Sequence, residues 1–143
     1  GVNTELDKFQ LSCLYKALEL NKKIVGICRG FQLIYYKFSH LFESTDYVQD
    51  LGGHNQGDYE IERYDLFHKV ESVNSEPIFV NSFHHQAVVT SDIENRYVTH
   101  FTSYKSPDKC YVIEGLKIPE HNIIAVQWHP EELGDLNDLL SLF

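Results

Sequence analysis

The chain has 143 residues, with 12 Lys and Arg against 21 Asp and Glu, a formal net charge of -9. That acidic balance argues against nucleic acid or an anionic membrane as a partner. Its 43% hydrophobic and 23% charged content suits a globular protein with a real core, and no apolar run reaches the length a membrane helix needs.

In chain order, Glu5 to Leu20 carries helical spacing through Leu6, Phe9, Leu11, Leu14, Ala17 and Leu18. Asn3 or Thr4 can cap it, and Asn21-Lys22-Lys23 ends it. Residues 24–27 form a short β-rich run, followed at once by an apolar helix over 29–38. Residues 39–55 read as a loop with short structure, and Gly52-Gly53 and His54-Asn55-Gln56-Gly57 are turn signals. A strand is expected within Ile61 to Val73 and another over Pro77 to Val80. Tyr97 to Ser103 and Cys110 to Lys117 read as a strand pair, joined through Ser106-Pro107-Asp108-Lys109. Asn122 to Val126 is an apolar strand, and Leu133 to Phe143 a short terminal helix. Helices mixed with strands in this order predict an α/β core with an antiparallel insertion.

Two strings about a hundred residues apart carry the chemistry: Ile24-Val-Gly-Ile-Cys-Arg-Gly30 and Val126-Gln-Trp-His-Pro-Glu131. Cys28 lies between two glycines where a strand turns into a helix. That elbow exposes a nucleophile above the sheet, and the helix N-terminus there favours a thiolate and later an oxyanion. Gly26 and Gly30 fit an elbow with a strained backbone and close approach of neighbouring chain. His129 is the candidate base and Glu131 the carboxylate that orients it. The Arg29 backbone N–H, next after the nucleophile, is the natural first oxyanion donor. Taken singly, Cys28 could be a buried structural thiol and His129 a turn histidine before proline; the joint pattern specifies thiolate attack on an amide carbonyl.

These residues resemble the class I glutamine amidotransferase superfamily, more closely its γ-glutamyl hydrolase branch of the peptidase C26 type. The resemblance rests on Gly26-Ile-Cys-Arg-Gly-Phe-Gln32, Tyr47-Val-Gln-Asp-Leu51, Asn81-Ser-Phe-His-His-Gln-Ala-Val88 and Val126-Gln-Trp-His-Pro-Glu131, in order across most of the chain. It implies a flavodoxin-like α/β fold with a mostly parallel central sheet and flanking helices. It also implies one catalytic domain over 1–143, forming the C-terminal two-thirds of the usual domain. The missing front would carry the first strands and a Gly-Gly loop that completes the oxyanion hole; loss of such a donor costs on the order of 10²–10³ in rate.

By the same resemblance, Cys28 forms a γ-glutamyl thioester, His129 moves the proton and Glu131 fixes the His129 tautomer. Arg29, Gln32, His84, His85 and Gln86 are expected to bind substrate. The implied activity is hydrolysis of a γ-glutamyl amide without metal or organic cofactor. Its alternatives are a glutaminase domain or subunit passing ammonia to a synthase partner, and an inactive binding module. Three cysteines, Cys13, Cys28 and Cys110, show neither a disulfide framework nor zinc spacing, which suits a reducing cytoplasm. Among the eight histidines, His40, His54, His68, His100 and His121 lack metal-ligand spacing. Tyr35, Tyr36 and Phe38 are expected in the core, and Glu60 and Glu62 on a solvated strand face.

Overall fold

The computed structural model describes residues 4–42, 45–48, 67–73, 76–81, 87–91, 93–103, 111–134 and 136–141. Helix α1 (Thr4–Glu19) covers the expected segment. It closes as a Schellman turn: Lys22 N–H donates to Ala17 O at 2.9 Å, Asn21 N–H to Leu18 O at 3.1 Å, and Asn21 takes a left-handed φ of 54°. Leu11, Leu14 and Leu18 pack on the core. Leu6 and Phe9 do not, being 38% and 66% exposed. At about 100° per residue Phe9 lies on the far side of the helix from Leu18, so two of the six apolar positions expected on one face fall outside the stripe.

Strand β1 (Ile24–Ile27) leads through Cys28 into α2 (Arg29–Lys37), both as expected. A 3-10 turn follows at Ser39–Leu41. Six strands come next: β2 (Thr45–Val48), β3 (Phe67–Ser72), β4 (Ile78–Asn81), β5 (Ala87–Thr90), β6 (Val98–Ser103) and β7 (Tyr111–Ile118). A 3-10 turn over Pro119–His121 and Asn122, which is left-handed at φ 57°, turn the chain into β8 (Ile123–Val126). The end of the described chain holds two short helices, α3 (Pro130–Leu133) and α4 (Leu136–Leu140), where one was expected from Leu133. Gly134, left-handed at φ 75°, separates them.

The described strands form one sheet with the path β1-β8-β7-β6-β3-β4, and β5 carries β2 onto β7. The α/β class is as expected, but the proportion of parallel pairing is not. Among the described residues β1 and β8 are the parallel pair, while the six other pairings are antiparallel. The connections explain this. β3 to β4 and β7 to β8 are joined by a few residues, too few for the helical crossover that parallel neighbours require. β7, eight residues long, is the hub: its first half pairs with β5, its second half with β8, and β6 runs along its other edge.

β8 is buried along its whole length because both of its faces are covered. Ile123 and Ala125 face the core built from α1 and α2, with Phe31, Ile34, Tyr35 and Phe38. Ile124 and Val126 face a second core with Val70, Val80, Trp128 and Leu139. The strand's unbroken apolar run in the sequence is the signature of that double burial. Tyr36, expected in the core with its neighbours, is 75% exposed. One residue along α2 is enough to turn a side chain from sheet to solvent.

Candidate active site

The site lies where β1 and β8 end together. The parallel register sets Ile27 beside Val126, so the next residues of both strands emerge at the same edge of the sheet. In open α/β sheets that carboxyl edge is where ligands bind. Cys28 follows β1 with φ 54° and ψ -103°, a left-handed backbone held by a non-glycine residue. Its N–H donates to Val126 O at 2.9 Å, and its carbonyl accepts from Gln32 N–H at 3.2 Å as α2 begins. The thiol itself makes no cap to the helix.

The two elbow glycines differ. A Cβ on Gly26 would lie 2.4 Å from Ile34 Cδ1 and 3.0 Å from the Gly30 carbonyl, so α2 can approach β1 because that position has no side chain. At Gly30 a Cβ would meet nothing within 4 Å, and its φ is not positive. The close-approach reading therefore holds for Gly26 and fails for Gly30.

Downstream of β8, His129 Nδ1 lies 2.7 Å from Glu131 Oε1. Pro130 starts α3 between them, so both side chains leave one rigid turn. With Nδ1–H donating to the carboxylate, Nε2 is the nitrogen left to accept a proton. The Glu131 carboxylate also acts on Cys28. Burial pushes the Cys28 thiol above its ordinary value, and the negative charge of Glu131 adds to the rise. The Arg29 backbone N–H, the Gln127 amide and the Arg29 guanidinium oppose it without reversing it. The expected low-pKa thiolate at a helix N-terminus is thus corrected. Desolvation outweighs the donors, and the resting sulfur keeps its proton until a base removes it.

The other expected binding residues are placed as follows. The Arg29 side chain is ion-paired to Asp7 of α1, tying the elbow to that helix. Gln32 Nε2 lies 3.5 Å from Gln127 Oε1. His84, His85 and Gln86 lie outside the described residues, as do Gly52-Gly53, Glu60, Glu62, His54, Cys110 and the Ser106-Pro107 turn. Cys13 is exposed and Cys28 half-buried, both as free thiols. Among the described residues no three His, Cys, Asp or Glu side chains converge as metal ligands, and no helix is long and apolar enough to cross a membrane.

Sequence reasoning missed two features. Gln127, 1% exposed, puts its amide 3.8 Å from Cys28 Sγ. A polar amide at the end of an otherwise apolar strand was the available signal. Behind it, His100 and Glu114 are buried on neighbouring strands. Thr102 Oγ1 donates to Glu114 at 3.1 Å, and the His100 ring meets Trp128 edge-on. Strand registers brought these together, and no spacing in the chain announces them.

The sequence profile of the peptidase C26 family matches residues 1–131. The chain belongs to the peptidase C26 family. It is similar to a glutamine amidotransferase-like protein, YvdE, of Lactococcus lactis subsp. lactis (strain IL1403), with 31% identity over 131 residues, 87% of this chain and 52% of that one. A glutamine amidotransferase-like protein of Rickettsia prowazekii (strain Madrid E) is 29% identical, over 99% of this chain and 64% of the relative. The chain thus spans between about half and two-thirds of the length of these curated relatives. The crystal structure of a GMP synthase subunit from Thermoplasma acidophilum overlays 78% of this chain and 49% of its own, with TM-score 0.44 and 22% identity.

Proposed function

We propose that the chain carries the catalytic site of a hydrolase of γ-glutamyl amides, with Cys28 as nucleophile, His129 as base and Glu131 as the group that orients it. The observation that carries this reading is the His129–Glu131 pair at 2.7 Å on the turn after β8, beside a left-handed Cys28 on the turn after β1. In the first half-reaction the Cys28 proton passes to His129 Nε2 as the sulfur attacks the γ-carbonyl carbon. The Arg29 backbone N–H, already against the sulfur, donates to the oxyanion. The C–N bond then breaks, and His129 delivers its proton to the leaving amine. In the second, His129 takes a proton from water, the hydroxide attacks the thioester, and the C–S bond breaks. The proton returns to the sulfur and glutamate leaves. Arg29, Gln32, His84, His85 and Gln86 are the proposed binding residues for the glutamyl group. Among the described residues Gln32 gives one N–H to Gln127, and its other N–H and its carbonyl are proposed to meet that group.

The names of the relatives favour a second reading, a glutaminase that supplies ammonia to a synthase partner with the same three residues. Both readings are tested by intact mass after brief incubation with 6-diazo-5-oxo-norleucine. One adduct on the wild-type chain and none on Cys28→Ala is the expected result; the same adduct on both, or none on either, overturns them together. Release of ammonia from glutamine only when a partner is added would favour the second reading over the first.

A further inference from the structure

We propose that Gln127 is a positioning residue for Cys28: its side-chain amide, just past the end of β8, donates to the sulfur while accepting from Gln32. Gln127 is 1% exposed, so it is set by the protein interior and not by whatever occupies the site. Its backbone N–H is anchored on Glu114 O at 2.8 Å. From there the side chain runs to the elbow, with Nε2 3.8 Å from Cys28 Sγ. Its Oε1 accepts from Gln32 Nε2 at 3.5 Å, one turn along α2 from the cysteine. The three groups form a chain in which each amide points its donor toward the sulfur. An N–H directed at sulfur stabilises the thiolate over the thiol. Turned over, the same amide would set its carbonyl against the developing negative charge and its N–H₂ against the Gln32 N–H₂. With Gln32 as placed, its contact favours the orientation in which the Gln127 amide helps ionisation. This placement offsets part of the burial that holds the proton on the sulfur.

The inference rests on reading Cys28 as the nucleophile, but its test needs no turnover. Alkylation of Cys28 by iodoacetamide is followed by mass spectrometry across pH for wild type, Gln127→Leu, Gln32→Leu and the double variant, with exposed Cys13 as the internal reference. The midpoint for Cys28 is expected to rise in Gln127→Leu, which slows its alkylation about three- to tenfold at a pH below both midpoints, while the Cys13 profile stays where it was. Gln32→Leu is expected to move the midpoint the same way by less, and the double variant no further than Gln127→Leu alone. A midpoint that stays or falls in Gln127→Leu overturns the proposal, as does a double variant that shows the sum of the two single shifts. Should Gln127→Leu not fold, the Gln32→Leu profile decides, and an unmoved midpoint there overturns it. Variants that show these shifts, beside a wild-type chain that takes no diazo-oxo-norleucine adduct, would sink the hydrolase and glutaminase readings together and leave the positioning role standing.

Discussion

Glu131 acts on two partners at once, and the two effects have opposite consequences. It holds His129 by Nδ1 at 2.7 Å, which in the proposed mechanism leaves Nε2 to act as the base. Its charge also raises the Cys28 pKa, which disfavours ionisation. The sign for Glu131→Gln follows directly. Removing a negative charge near the sulfur lowers the pH at which Cys28 ionises, so alkylation by a small neutral reagent becomes faster at a fixed pH below the midpoint. Under the proposed mechanism turnover moves the other way, because the base loses its orienting carboxylate; a drop on the order of 10²–10⁴ in kcat is expected by analogy with other triads. A variant with faster alkylation and slower turnover is the result that separates an orienting carboxylate from a bystander. A variant in which both rates fall together would remove Glu131 from the electrostatics of the sulfur.

The element that makes the elbow is the β1–α2 unit, and its tightest contact is at Gly26. Gly26→Ala would force a Cβ against Ile34 Cδ1 and the Gly30 carbonyl. Ile34 can rotate, but the carbonyl belongs to the first turn of α2 and moves only with the helix. A loss of about 1–3 kcal/mol is expected from overpacking, with the elbow displaced. Gly30→Ala is the control within the same turn. Its Cβ has open space and its φ suits any residue, so replacing a helical glycine should stabilise the fold by up to about 1 kcal/mol. Thermal denaturation of the two variants checks this pair, and equal melting temperatures would mean the elbow packs differently. The element also shows how α1 serves the site: Arg29 reaches across to Asp7, so the helix before β1 braces the residue after Cys28. That pair is partly exposed, and its contribution to stability is at most about 1 kcal/mol.

Across the whole molecule, the antiparallel part of the sheet buries ionisable groups under the site. His100 is 8% exposed, and burial lowers its pKa from 6.5 to about 4, with the Glu114 carboxylate opposing the change only in part. The folded state therefore carries neutral His100 where the unfolded chain would carry a proton. Between pH 6.5 and about 4 the unfolded state binds more protons, so stability falls as pH falls through that window and is unaffected by His100 above it. The full loss amounts to about 3 kcal/mol. Urea midpoints measured from pH 4 to pH 7.5 should show this slope in wild type and lose it in His100→Phe. A slope that persists in the variant would assign the acid sensitivity to other groups.

The elements nearest the site were legible in the chain because local rules govern them. The apolar run over 24–27, the abrupt change to helical spacing at Arg29, and the buried run before His129 describe β1, α2 and β8 almost residue for residue. His129 and Glu131 are two positions apart, so one rigid turn brings them together wherever the rest of the chain goes. The partnership of Cys28 with that turn is different in kind, since it depends on β1 and β8 lying side by side in parallel. No local signal encodes that pairing; only the resemblance of the two motifs pointed to it. Periodicity overreached at Leu6 and Phe9, and aromatic character at Tyr36: all three are exposed, because a helix face is chosen by what packs against it. The short strands β2 and β5 went unread, being four residues each and ordered through their pairing. Tertiary structure alone decided the mostly antiparallel pairing among the described residues, the Gln32–Gln127–Cys28 contacts and the buried His100, because register across strands brings together residues far apart in sequence. It also decided the state of the thiol. Sequence position puts Cys28 at a helix N-terminus, which lowers a pKa, but how much water is lost there is a property of the packed site, and desolvation is the larger effect.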